Sequence, residues 1–205
     1  GVTESGPDAV RSNISVDGEW MTSTANGKVM ICGTLETPSL TELRDRVRHI
    51  GTEQSSIRLR QQVADVRHLH ADRDNTGSLF QVASQFNLLE MVSPSVTPEK
   101  GVGRYENDPT QGPACAVAAG AGTIYRNYFA SVNGATGQTC DNQIDCLDDI
   151  GKVLGKDGDR LWKMQNGYAL PTAHDLEQIE DRLDSMDEGG IDALRGRLRI
   201  GIQWN

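Results

Sequence analysis

The chain has 205 residues and a formal net charge of −9, with 24% charged and 37% apolar residues. Size scaling predicts a folded surface of roughly 9,400 Å² against roughly 32,000 Å² for the extended chain, so a real core is possible, and apolar residues spread along the chain argue against disorder as the main state. The acidic balance argues against a nucleic-acid backbone as principal partner, no apolar run reaches the roughly 20 residues of a membrane helix, and the polar start, residues 1–16, does not read as a signal peptide.

Residues 1–27 lack periodicity and are rich in Ser, Asn, Gly and Asp. They are expected to form a loose amino-terminal arm, with residues 28–205 as a single α/β unit. Lys28 to Leu35 reads as a buried strand through Val29, Met30, Ile31 and Cys32. Ser39 and Glu42 have capping-box spacing, and Leu40, Leu43, Val47 and Ile50 follow at helical intervals. Residues 57–70 fit a helix through Leu59, Val63 and Val66 and a strand through the alternation around His68. The turn chemistry of 72–77 favours a hairpin-like pair of strands, the second spanning Ser78 to Phe86.

Residues 93–113 hold four prolines before an alanine-rich run, and Gly112-Pro113 predicts a helix start. Gly120 and Gly122 weaken that helix and would let a backbone or ligand approach. Asp141 to Leu154 carries Ile144, Leu147, Ile150 and Leu154 at helical spacing and ends at Gly155. Asn166-Gly167 signals a hairpin between 162–165 and 168–170. Thr172 and Asp175 cap a helix bearing Leu176, Ile179, Leu183 and Met186. After Gly189-Gly190 a short helical piece leads to an expected buried strand, Leu198 to Trp204. A strand cut off there suggests a piece of a longer protein.

Cys32, Cys115, Cys140 and Cys146 have neither zinc-knuckle spacing nor the density of a disulfide framework. They suit reduced thiols in a cytoplasmic protein. His68 and His70 alternate, but no carboxylate or thiol is spaced to complete a ligand set, so neither metal nor cofactor is expected. Cys115 lacks a sequence-defined catalytic partner.

The stretch from Leu79 to Tyr128 carries the chemistry. It sets a strand end, an acid-bearing loop and a glycine-flanked helix start in order, the usual ligand mouth of an α/β protein. Amides near Gln111, Gly112 and Ala114 can meet a phosphate. Glu90, Glu99, Glu106 and Asp108 can bind sugar hydroxyls or position a water. No histidine lies between Ala71 and Ala173, so acid–base work there falls to carboxylates or Tyr105. Hydrolysis at an anomeric carbon suits such a set, because its transition state is oxocarbenium-like. The same acids also suit a solvated loop or a helix start that attracts negative charge. Phe86 and Tyr105 flank the loop and can stack on a base, whereas Tyr125 and Phe129, at helical spacing, read as core. Gly101 and Thr110 in this loop, and Gly122 beyond it, are counted with the ligand-binding residues.

The segments Leu79 to Glu90, Tyr105 to Gly112 and Pro113 to Tyr128 resemble the MavL-like divergent macrodomain family, a Legionella effector group with eukaryotic relatives. Weaker likeness extends to Gln143–Cys146, Gln165–Tyr168 and Leu198–Trp204. The resemblance implies a three-layer macrodomain, a mixed central sheet between helices, with ADP-ribose at the strand ends. It implies removal of ADP-ribose from protein side chains, with arginine of ubiquitin as the effector's target. Asn87 would lie near the distal ribose; Glu90, Glu99 and Asp108 would form the acidic site; Gln111 and Gly112 would meet the distal ribose and diphosphate. The chain carries neither the asparagine-alanine-alanine-asparagine signature nor the triple-glycine loop of common macrodomains. Three functions remain open at this point: an ADP-ribosylhydrolase, a non-catalytic ADP-ribose reader, and a protein-interaction domain.

Overall fold

In a computed structural model of the chain, residues 2–33, 40–48, 56, 58–79, 85–103, 120–155 and 159–204 are described. Among these, helices mix with three small sheets, and every strand pairing is antiparallel. The protein is therefore of mixed α and β class. Leu59, Val63 and Leu79 stand almost fully in water.

Residues 2–27 carry regular structure in place of the expected loose arm. Pro7 opens helix α1, Pro7–Asn13, where its fixed φ is already helical and its missing N–H costs nothing. The chain runs directly into strand β1, Ile14–Asp17, then β2, Trp20–Ser23, and β3, Val29–Ile31. Register sets Val16 against Met21 and Met21 against Met30. These three share the sheet's inner face, while Trp20, Val29 and Ile31 lie exposed on the other. Strands of three or four residues are too short for alternation to stand out in the sequence. β3 ends the strand order β1-β2-β3 and is half-open, not the buried strand expected there; residues 34–35 of that expected strand lie outside the described residues.

Helix α2, Leu40–Arg48, matches the expected helix; its cap at Ser39 and its last apolar position, Ile50, lie outside the described residues. The expected strand through His68 and His70 is instead helix α3, Val66–Ala71. The amide of Leu69 bonds the carbonyl of Asp65 at 3.1 Å, and that of Asp72 bonds His68 at 3.0 Å. Alternating histidines fit either geometry, and this polar stretch offers no apolar face for a sheet to bury. The expected turn follows: the Asp72 carboxylate accepts from the Asp74 amide at 3.0 Å, and Gly77 takes φ 79°. Of the paired strand expected over 78–86, residues 80–84 lie outside the described set, and 78–79 and 85–86 are not in a strand.

Helix α4, Gly120–Tyr128, packs against α1 and β3. The predicted helix start at Pro113 lies outside the described residues. A Cβ on Gly122 would meet the Cys32 carbonyl at an ordinary 3.9 Å, and one on Gly120 would meet nothing. Among the described residues, then, no backbone crowds either glycine. After the β4–β5 hairpin, Ser131–Val132 with Ala135–Thr136, helix α5 spans only Asp148–Leu154. Its expected first part is a turn, because the Asp145 carboxylate accepts from the Leu147 amide at 3.0 Å and offers the backbone a non-helical bond.

The β6–β7 hairpin, Lys163–Gln165 with Tyr168–Leu170, turns at Asn166 and Gly167, with φ 46° and 79°. Both central residues have positive φ, as the expected primed turn requires. Helix α6, Ala173–Asp184, starts on the predicted capping box of Thr172 and Asp175. The final segment differs from expectation: Glu188–Trp204 is one helix, α7. Ile191, Leu194 and Leu198 recur at helical spacing, and the Asp187 carboxylate accepts from the Gly190 amide at 2.7 Å. The two glycines thus sit in a capped first turn, where they break nothing.

Apolar side chains gather in two clusters. Val10, Ile14, Met21, Leu89, Met91, Val102 and Tyr128 form the first; Leu147, Ile150, Leu154 and Trp162 form the second, covered by α6, α7 and Phe86. Residues 85–91 bridge them, with Phe86 on one side and Leu89 and Met91 on the other. Leu88 between them is buried at φ 61°. Met21→Ala is expected to cost about 2–5 kcal/mol by urea unfolding, as for other fully buried side chains; a residue on a loose arm would change stability by about 0.5 kcal/mol or less.

Candidate functional site

A polar seam lies where the two clusters meet, organised by Gln138, which is 3% exposed. Its Nε2 donates to the carbonyls of Asn87 and Arg126, each at 3.0 Å. Its Oε1 accepts from the Ile144 amide at 3.0 Å, and its own amide donates to the Asn127 carbonyl at 2.8 Å. One side chain thereby ties residues 85–91, the end of α4 and the 138–147 loop. Gln143 extends the seam: its Oε1 accepts from Asn87 Nδ2 at 2.9 Å, and its Nε2 donates to Asn166 Oδ1 at 3.0 Å. The β6–β7 turn presses on the same segment. A side chain at Gly167 would collide with the Asn87 carboxamide.

Around this seam the structure gathers Asn87, Glu90 and Glu99. Asn87 is fully buried, and its Oδ1 accepts from the Leu89 amide at 3.1 Å, so both ends of its amide have protein partners. Glu90 is 4% exposed, and its Oε2 has no hydrogen-bond partner. Burial pushes its carboxyl up to about 8, against the opposing pull of the Arg126 guanidinium. Glu90 is therefore largely protonated at neutral pH. Burial likewise lowers Arg126, which Glu90 partly offsets. Arg126 Nε and Asn127 Oδ1 are also buried without a partner. Three of the four such atoms among the described residues thus belong to Glu90 and the adjoining pair Arg126–Asn127, an unusual concentration of unmet polar demand.

Glu99 is tuned the opposite way. Partial burial acts to raise it, but hydrogen bonds from the Thr97 hydroxyl and the Cys140 amide outweigh that and leave the carboxyl below its ordinary range. The Cys140 amide donates to Glu99 Oε1 at 2.7 Å. Helix α4 joins the two acids: Asn127 Nδ2 donates to the Pro98 carbonyl, beside Glu99, at 3.1 Å, and neighbouring Arg126 faces Glu90.

The other expected site residues separate. Phe86 is partly buried and packs against the second cluster, and its carbonyl accepts from the Cys146 amide at 2.9 Å. Gly101 faces the carboxylate of Glu4. Gly122 lies on α4, one turn before Arg126. Asp108, Tyr105, Thr110, Gln111 and Gly112 lie outside the described residues, as does Cys115. Cys32, Cys140 and Cys146 are free thiols; burial and the Asp145 charge push Cys146 up to about 12, which makes it a poor nucleophile. Among the described residues no group of three or more acids, histidines or cysteines could hold a metal ion, and no helix is long and apolar enough to cross a membrane.

Sequence reasoning missed Gln138, Gln143, Arg126 and Asn127. Arg126 had one signal, being the sole charge in the otherwise uncharged helix α4. The two glutamines sit in polar loops; Gln143 opened a segment of weaker family likeness, and Gln138 had no signal. Compared with known proteins, the chain matches no family model, no curated protein and no solved structure.

Because the Glu90 pKa is higher folded than unfolded, the native state binds the extra proton between about pH 5 and 8. Stability tied to Glu90 is complete at low pH and is lost as pH rises through its folded value. The expected slope is at most about 1.4 kcal/mol per pH unit. Glu90→Gln should flatten this slope in urea unfolding series from pH 5 to 8; an unchanged slope would show that Glu90 titrates normally.

Proposed function

We propose that the chain hydrolyses the glycosidic bond joining ADP-ribose to a protein side chain, with arginine as the linked residue. The observation that carries this reading is the pair of carboxyls tuned in opposite senses beside one polar seam. Environments that drive two carboxyls apart assign an acid and a base. Protonated Glu90 would donate to the departing guanidino nitrogen. Ionised Glu99 would orient the incoming water and stabilise the positive charge that develops at the anomeric carbon. Asp108 would complete the acidic site, as the resemblance implies. The resemblance stated above supports the substrate class, and the three-layer macrodomain arrangement belongs to the same proposal.

A binding-only reading has one observation in its favour, the near-complete burial of Glu90. An assay of free ADP-ribose released from an arginine-modified protein separates the two. For an enzyme, Glu90→Gln and Glu99→Gln should each lower kcat by about 10²–10⁴-fold while calorimetric affinity for ADP-ribose is kept, and wild-type activity should fall above about pH 8 as Glu90 loses its proton. Binding without release from pH 5 to 9 would establish a reader. Neither binding nor release would exclude both.

A further inference from the structure

A cavity of about 380 Å³ lies between the amino-terminal segment and α4, lined by none of Glu90, Glu99 and Gln138. Its volume is at the lower end of the roughly 300–1,000 Å³ typical of small-molecule sites. Val10, Ile14, Val102 and Ile124 give it apolar walls. Its polar end is already filled by a carboxylate of the same chain. Glu4 Oε1 accepts from the Val102 amide at 3.0 Å and the Tyr128 hydroxyl at 2.8 Å, and Oε2 accepts from the Gly103 amide at 2.7 Å. Consecutive amides turned to one point form an anion cradle. Gly101, at φ 83°, shapes the turn, and a Cβ there would stand 2.7 Å from Glu4 Oε2. A Cβ on Gly103 would stand 2.8 Å from the same atom. Both glycines are thus needed for a carboxylate to reach the amides.

We propose that this cavity binds a small carboxylate with an apolar tail, and that Glu4 is its built-in competitor, holding the head-group cradle until such a ligand displaces it. Charge selects the ligand class. Among the described residues no lysine or arginine lines the cavity, so two amide dipoles and a hydroxyl suit one negative charge better than the two of a phosphate. Tethering selects the tail. A carboxylate on the same chain competes at an effective concentration of order millimolar, so a bare anion such as acetate gains nothing over it. A tail against Val10, Ile14, Val102 and Ile124 adds apolar burial that Glu4 cannot supply. The strap is held by Glu4 and by Val2, which packs against the first cluster; among the described residues, the backbone of residues 2–5 makes one hydrogen bond, from the Ser5 amide to the Thr3 carbonyl.

Calorimetric titration of the full chain with octanoate tests this, with octanamide as the uncharged control. Octanoate should bind Glu4→Ala at least about tenfold more tightly than wild type, as expected when a tethered competitor is removed. Glu4→Gln should fall between them, and octanamide should bind all three weakly and alike. Adding Tyr128→Phe to Glu4→Ala should weaken octanoate severalfold. Equal octanoate affinity for wild type and Glu4→Ala, no octanoate binding to either, or octanamide matching octanoate on Glu4→Ala would each overturn the proposal. Circular dichroism checks folding; should Glu4→Ala not fold, Glu4→Gln decides alone, and no gain over wild type overturns it.

Discussion

The Gln138 carboxamide is the interaction on which the rest of the seam depends. Three segments distant in sequence present backbone groups that regular structure cannot pair: the Asn87 carbonyl, the Arg126 carbonyl at the end of α4, and the Ile144 amide. One side chain with two donors and an acceptor satisfies all three. A typical hydrogen bond contributes about 0.5–1.5 kcal/mol net, but a buried group left without one costs about 1–3 kcal/mol. The value of Gln138 therefore lies mainly in what would be orphaned without it. It also fixes the spacing between residues 85–91 and α4, and hence the distance at which Glu90 meets Arg126.

That spacing explains the contrast between the two acids. Glu90 is carried inward by its neighbours Leu89 and Met91, both fully buried. A carboxyl there loses hydration, and the guanidinium it faces recovers only part of the loss. Glu99 sits at the rim in a single 3₁₀ turn, Pro98–Lys100, where an amide and a hydroxyl favour its anion. Two residues of the same type, nine positions apart in the chain, acquire different protonation because one segment threads the core and the other skirts it.

The legible parts of this fold were those written in local chemistry. The Asn166-Gly167 turn, the Thr172 capping box and the helix over 40–48 each depend on a few adjacent residues and stand as read. The errors arose where local signals were short or double. Met21 and Val16 belong to strands too brief to show alternation, and Leu198 fits a helix face as well as a strand face. The site was half legible for the same reason. Carboxylates stand out in a sequence, so Glu90 and Glu99 were noticed, but nothing local reveals that one will be buried and the other bound by an amide. Gln138, whose partners lie 6, 12 and 51 positions away, is invisible without the fold.

Leu88 leaves a different mark. Its backbone takes φ 61° while its side chain is buried, so two demands collide at one position. Glycine would relax the main chain but empty the space the isobutyl group fills. Asparagine, which tolerates that dihedral, would bring an amide into a buried position. Valine or isoleucine would fill the space yet resist the geometry still more. Each of these replacements thus exchanges one fault for another, and leucine at 88 is a compromise between backbone and packing that none of them improves.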